Sequence, residues 1–336
     1  MKTVTSVSGG KTSAMMALEF PTDHYIFAVV LTDHKPSAPK DKGLLRECQN
    51  RIPWFVASHE ADLTLLNMLR LEQELGQKID WTASEYSLDR YLYGDTDLAG
   101  YRSHAFMLPN AQTRFCTEQT KLVPMFQYSF NNYLNAFRAC DIKTKQEILI
   151  LEEPLLMHIG FRWDEPERVD GWTCDKEKFK FPRKAWTGLS EDNKSCSLFF
   201  RERQQHDELE WRISRFPMYE HGITKYDVSN YWSSKKWEFP LYQYKDYDLG
   251  SYNAICSIFK HGRGWVYPQI SNCRFCFHHR DIEQQRQAEL EPDNLQWWLE
   301  QEEKTGHTFG KRPLKKILAQ PLLDVYGDRE SCHCTD

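Results

Sequence analysis

Thr3-Val4-Thr5-Ser6-Val7 runs directly into Ser8-Gly9-Gly10-Lys11-Thr12-Ser13, and the reading of this stretch decides the fold. The β-branched run predicts a strand, and Ala14, Met15, Met16, Ala17 and Leu18 predict a helix beyond the Gly-Gly turn. Two glycines let the backbone turn tightly, so that its N–H groups and the helix N-terminus face one small volume. Ser8, Lys11, Thr12 and Ser13 add hydroxyls and one cation. That combination suits a phosphate or pyrophosphate; the plainer alternative is a strand–turn–helix with a solvated tip. The spacing is not Gly, four residues, then Gly-Lys-Ser/Thr, so this is not the cradle which that pattern specifies.

The second strand is expected at Tyr25-Ile26-Phe27-Ala28-Val29-Val30-Leu31, ending at Thr32-Asp33-His34. A continuous apolar run of this kind fits a strand covered on both faces. Strand, helix, strand so early predicts a doubly wound α/β sheet, whose ligands sit beyond the carboxyl ends of the strands. The Gly9-Gly10 turn and Asp33 both lie at such ends and are expected to face one nucleotide. The chain has 336 residues, enough for one large α/β domain or a core with a smaller appendage. Charged residues make up 27% and hydrophobic ones 40%, and the mean hydropathy is -0.67, which reads as a soluble, cytoplasmic protein with no membrane segment and no signal peptide. A formal charge of -5 argues against a uniformly basic surface, so a nucleic-acid partner would need a local basic strip. The best such run is Lys176, Lys178, Lys180, Arg183 and Lys184, which otherwise reads as a solvated face.

Further along, Lys40 to about Arg51 and Leu63 to Leu75 predict helices, and the region from about 52 to 105 reads as an insertion or lid. Thr113-Arg114-Phe115-Cys116-Thr117, with Lys121 and Pro124, predicts a helix start near Thr117. Leu155 to Arg162 predicts a strand with Arg162 just past it and Arg168 six residues on, well placed for phosphate oxygens unless Glu165 and Glu167 neutralise them. Thr224 is expected to cap a helix reaching about Trp232, and the tail predicts helices over Ile282 to Leu290 and Pro292 to about Leu299.

Ser8-Gly9-Gly10-Lys11-x-Ser13, Arg114-x-Cys116-Thr117 with Lys121 and Pro124, Gly160-x-Arg162 with Glu165 and Arg168, and Gly222-Ile223-Thr224-Lys225 follow one another in order, and Asn272-Cys273-x-x-Cys276 comes after them. This ordered set resembles the phosphoadenosine-phosphosulfate (PAPS) reductase-like branch of the PP-loop ATP pyrophosphatase superfamily, particularly versions found in phages and DNA-modification systems. The resemblance spans roughly residues 1 to 280. It implies an adenine nucleotide alpha hydrolase-like fold: a five-stranded, mostly parallel, doubly wound sheet in residues 1–235, followed by a helical, cysteine-containing region in 236–336. It further implies that Ser8, Gly9, Gly10, Lys11, Thr12 and Ser13 hold the phosphate end of the nucleotide. Asp33 would lie by the adenine, with Arg114, Lys121, Gly160 and Arg162 as companions. Thr12 stands where that pattern usually has Asp, and a hydroxyl there can hydrogen-bond but places a metal poorly.

Ten cysteines in a cytoplasmic chain point to metal or thiol chemistry before disulfides. Cys273 and Cys276 have the spacing that lets two thiolates grip one metal, with His278 and His279 next to them and Cys256 upstream. Two metal sets compete with a plain pair of buried thiols: a [4Fe–4S] cluster on Cys116, Cys256, Cys273 and Cys276, or a Zn²⁺ ion on Cys273, Cys276 and one or two of Cys256, His278 and His279. The resemblance favours the cluster. Cys332-His333-Cys334 reads as a terminal tail that either reaches the site as a thiol nucleophile or stays disordered.

Three functions follow from the resemblance. The first is an ATP pyrophosphatase-type transferase or ligase, using ATP and Mg²⁺ to adenylate an acceptor for sulfur or nitrogen insertion, with Lys11, Ser13 and Arg162 as catalytic residues. Its expected partners are the adenine nucleotide, a nucleic acid or a sulfur-donor protein, with an oligomer compatible. The second is a thiol-dependent reductase that releases sulfite from PAPS or its unphosphorylated analogue. The third is a non-catalytic nucleotide-sensing or nucleic-acid-binding module.

Overall fold

Alternation along the second strand shows how the layers form. In the computed structural model, strand β2 (His24–Val29) sends Ile26 and Ala28 into one buried apolar cluster and Tyr25, Phe27 and Val29 into another. A strand whose successive side chains are all buried on opposite faces must have helices over both. The structure describes residues 1–94, 106–110, 114–140, 147–151, 153–174, 197–200, 211–235, 242–243, 269–270, 273–279 and 281–320.

Four more strands complete this sheet: β1 (Thr3–Ser6), β3 (Asp80–Ala83), β4 (Leu155–His158) and β5 (Arg212–Arg215). The five strands run in the order β5-β4-β1-β2-β3 and every neighbouring pair is parallel. From β1 the chain first steps outward to β2 and β3, then returns to the other side for β4 and β5. The direction therefore reverses between β1 and β4, where open parallel sheets place their ligand crevice. This is an α/β fold compatible with double winding.

Helices α1 (Lys11–Glu19), α2 (Lys42–Arg51) and α3 (Asp62–Leu75) cover one face. Met15 and Met16 of α1, Leu44 of α2, and Leu65, Met68 and Leu71 of α3 are buried there with Phe27 and Trp81. The opposite face is covered by a helical segment over 115–132, in which Glu118–Leu122 forms a π-turn between Phe115–Thr117 and Val123–Asn132. Met125, Phe126 and Phe130 pack there on Val4, Leu155, Met157 and Trp211. The helix begins two residues before the expected Thr117, and no side chain caps it. A separate three-stranded sheet joins Ala136–Cys140, Glu147–Leu151 and Ser197–Phe200.

Two features bear on how the expected regions pack. The region expected as an insertion or lid supplies α3 and the edge strand β3, so its residues 57–83 belong to the main layers, while 95–105 lie outside the described residues. β3 has only four residues, Asp-Trp-Thr-Ala, too few for a periodic signal, and its place depends on Trp81 packing edge-on against Phe27 at 5.2 Å. The region expected as a separate C-terminal unit also shares a core with the first half. Phe275, Trp297, Trp298, Phe309 and Leu314 are buried together with Val30, Leu88, Tyr91 and Phe115. Phe275 comes from the Cys273–Phe277 segment, Trp297 and Trp298 from the helix Pro292–Thr305, Phe309 from the connection after it and Leu314 from the helix Leu314–Leu318, with Ala288 of the helix Asp281–Leu290 packed against them.

Arg274, between the two cysteines, docks this region. Its side chain is 3% exposed and bonds to Glu291 at 2.6 Å, to the Ser58 carbonyl at 2.8 Å and to Asp62 at 3.2 Å, while its backbone N–H donates to the His59 carbonyl at 2.7 Å. Removing one partner of such a buried pair strands the others, typically at about 3–5 kcal/mol. Arg274→Ala is therefore expected to lower the unfolding free energy by about that amount in urea melts, and Arg274→Lys by roughly 1–2 kcal/mol less, because the charge remains while the fork is lost.

Candidate functional site

The first turn is built as a closed knot of hydrogen bonds. The Ser13 hydroxyl donates to the Gly10 carbonyl at 3.1 Å, accepts the Ser8 N–H at 3.1 Å and lies 3.1 Å from the Ser8 hydroxyl. Both serines are buried, so the Ser13 hydroxyl, expected among the catalytic groups, is engaged in shaping the loop. Gly9 has φ +81°, a conformation that side-chain-bearing residues rarely adopt. A Cβ at that position would sit 2.3 Å from the Cγ2 atom of Thr64 on α3. Gly10 is the extended residue before α1, whose N-terminus has no side-chain cap. An uncapped helix start aimed from such a turn offers N–H groups and the positive end of the helix dipole to an anion.

The end of β4 meets this turn. Gly160 approaches so closely that an added Cβ would lie 3.4 Å from the Ser13 Cα. Arg162 then reaches over the loop and donates to the Thr12 hydroxyl at 3.2 Å. Its remaining donors meet Asp164 at 3.0 Å and Glu165 at 3.2 Å. Glu165 is also shared with Arg168 at 3.0 Å, and these two guanidinium groups hold its carboxyl below the usual range against the opposing effect of burial. Asp164 accepts the backbone N–H of Lys225 at 3.2 Å, and the Trp163 N–H donates to the Ile223 carbonyl at 2.9 Å. Gly222-Ile223-Thr224-Lys225 is thus the backing of the Arg162 turn, with Gly222 at φ +69° and Thr224 closing a capping box on the helix Lys225–Ser234. Trp232 of that helix donates to the Lys11 carbonyl at 2.9 Å. Three of the five sequence motifs therefore converge on one loop.

The other two meet elsewhere. Lys121, expected beside the phosphate, is buried with its Nζ 3.8 Å from Glu60, and Cys273 Sγ is 3.8 Å from the same Glu60 oxygen. Glu60 also accepts the Val30 N–H at 3.0 Å, and burial raises its carboxyl while Lys121 pulls it back. Cys116 packs on the same apolar cluster as Cys273, and burial raises its thiol. Cys276 is buried. Asp33 is tied by its N–H to Asp89 at 2.9 Å and reaches Arg90 at 4.0 Å, so its described contacts run to the helix Leu88–Tyr93. Cys256, Cys332, Cys334 and the lysine run at 176–184 lie outside the described residues. Among the described residues, no three of His, Cys, Asp and Glu converge as a metal set. Also among them, no helix is long and apolar enough to cross a membrane.

Sequence reasoning missed Glu60, Thr64, Asp89 and Arg274. None belongs to a local pattern, because each acts on a partner far along the chain. It also missed His59, which is 1% exposed between Trp297 at 4.5 Å and Trp298 at 5.1 Å, with neither ring nitrogen hydrogen-bonded to a described residue. Burial pushes its pKa down to about 3, and burial also lowers that of His34. No protein-family model, no curated protein and no solved structure matches this chain.

Two outcomes test these contacts. Gly9→Ala is expected to cost about 1–3 kcal/mol of stability through its backbone conformation and the clash with Thr64. Adding Thr64→Ser, which deletes the clashing Cγ2, should recover part of that loss in the same melts. The second outcome concerns pH. The unfolded state takes up a proton at His59 below about 6.5 while the folded state resists until about 3, so the unfolded state binds more protons in that window. Stability is therefore intact above pH 6.5 and falls as pH drops towards 3, by up to about 1.4 kcal/mol per unit from this group. His59→Phe should flatten the slope of stability against pH.

Proposed function

We propose that this chain is a PP-loop nucleotide enzyme with an adenine nucleotide alpha hydrolase-like fold, acting as an ATP pyrophosphatase-type transferase or ligase. One observation carries the reading: at the switch point between β1 and β4, Arg162 lies across the Gly9-Gly10 turn and donates to Thr12 beside an uncapped helix start. A triphosphate fits that place by charge and by hydrogen-bond polarity.

An acceptor oxygen attacks the α-phosphorus of ATP, the bond to the bridging oxygen breaks, and pyrophosphate leaves with its electron pair. A nitrogen or sulfur nucleophile then displaces AMP from the adenylated acceptor. The N–H groups at the start of α1 and the Lys11 ammonium bind the negative oxygens, and Arg162 offsets charge that grows on the leaving pyrophosphate. Asp164 and Glu165 hold the guanidinium plane in place, and the Ser8–Ser13 hydroxyl pair keeps the loop open for the phosphates. Mg²⁺ arrives chelated by ATP. Cys116, Cys273 and Cys276, with Cys256, would hold a [4Fe–4S] cluster, or Cys273 and Cys276 with one or two of Cys256, His278 and His279 a Zn²⁺ ion; the described members do not converge as a metal set, and no step runs through either group.

Incubation with Mg-ATP and candidate acceptors, followed by pyrophosphate detection, tests the reading. Lys11→Ala and Arg162→Ala should each lower turnover by about 10²–10³-fold. Sulfite release from PAPS instead would make the chain a reductase, and ATP binding with neither product would make it a sensing module. Metal analysis of protein purified without oxygen distinguishes iron with a broad band at roughly 400 nm from colourless, zinc-bearing protein.

A further inference from the structure

Among tryptophans whose side chains the structure describes, Trp81, Trp211, Trp232, Trp297 and Trp298 are at most 5% exposed, whereas Trp54 is 48% and Trp163 is 53% exposed. The Trp54 indole N–H is committed to the Ser84 carbonyl at 3.0 Å. Trp163 directly follows Arg162, the residue that spans the loop. Its neighbour Phe161 points the other way, 2% exposed and stacked on Phe216 with ring centroids 5.3 Å apart. The chain at this point therefore alternates between core, loop and solvent.

Trp163 cannot retreat into the core. Its N–H is bonded to the Ile223 carbonyl at 2.9 Å, and the turn containing it is closed by the Glu165 N–H on the Arg162 carbonyl at 3.0 Å. The Glu165 carboxylate returns to the Arg162 N–H at 3.1 Å. The indole rests on Tyr219 with centroids 4.9 Å apart and planes tilted by 37°. A large apolar ring held rigid and half open to water, one residue from an anion clamp, is a stacking surface prepared in advance.

We propose that Trp163, backed by Tyr219, stacks the nucleobase of the molecule that receives the activated group; this rests on the loop at Gly9-Gly10 being the ATP phosphate site. The ring on Trp163 belongs to a second molecule, not to ATP. Gly160 is packed on Ser13 and Arg162 bonds to Thr12, so the residues that meet the loop are those just before Trp163, whose ring rests on Tyr219 instead. An acceptor base seated there is held beside the phosphates that it must meet. Stacking on an aromatic side chain accepts any base, so this surface supplies affinity and position without reading sequence.

The test is binding of fluorescein-labelled single-stranded DNA and RNA of about 12 nucleotides to the full chain in the presence of a non-hydrolysable ATP analogue. ATP-analogue affinity is measured alongside by calorimetry. Trp163→Ala should weaken strand binding on the order of tenfold and Trp163→Tyr by less than about threefold, with the affinity for the ATP analogue unchanged for both. Whichever strand shows this loss identifies its source. Trp163→Ala binding within twofold of the parent, or a parent that binds neither strand, overturns the proposal. So does an equal loss of ATP-analogue affinity, which would assign the ring to adenine. Strand binding that depends on Trp163 in a protein that binds no ATP analogue would support the platform and sink the nucleotide reading instead.

Discussion

A single missing Cβ is the constraint on which the site depends. Gly9 turns at φ +81° against Thr64, and only hydrogen fits in the gap. That contact brings the first turn of α3 against the loop, and Phe27 of β2 lies 4.0 Å from the same Cβ position. If the loop moved outward to admit a side chain, the Ser8–Ser13 hydrogen bonds would break and α1 would no longer point its N-terminus into the turn. Sheet, helix and loop are thus fixed together by sterics before any charge is considered.

Charge then decides what the loop tolerates. Arg162 is surrounded by three acceptors, two of them carboxylates, yet Glu165 divides its charge between Arg162 and Arg168 and Asp164 also accepts a backbone N–H. At the loop itself Arg162 meets a neutral hydroxyl. An Asp at position 12 would add a third carboxylate to that guanidinium and would repel an incoming phosphate. The departure from the resembled pattern thus has an electrostatic consequence of its own.

What was legible in the sequence was what local pattern encodes. The Gly-Gly turn, the apolar run of β2, the Thr224 cap and the Pro292 helix start each declare themselves within a few residues and stand where expected, except that β2 ends at Val29 and Leu31–Thr32 turns away to pair with Ala57–Ser58. The C-terminal helix runs on to Thr305 because Trp297 and Trp298 pack into a core supplied by distant segments. β3 and the docking of residues 273–318 were hidden for the same reason. Within the site, the Arg162 loop and its backing at Gly222-Ile223-Thr224-Lys225 were legible as motifs. The contact of Lys121 was not legible, because a lysine after a helix start looks the same whether it meets phosphate or reaches a buried Glu60 some sixty residues upstream.

The two places where motifs gather are also joined physically. Arg274 holds Asp62, the first residue of α3, and two residues on Thr64 touches the position of Gly9. The His59 and Ser58 carbonyls, which Arg274 also engages, lie just before that helix. A change in the geometry of Cys273 or Cys276 would therefore reach the start of α3 through Arg274, and through Glu60, which pairs with Cys273 just before that helix. Close-packed interiors transmit small displacements in this way rather than absorbing them. The cysteine pair and the Gly9-Gly10 loop are far apart in sequence, and the first turn of α3 touches the loop and is held by the arginine between the cysteines.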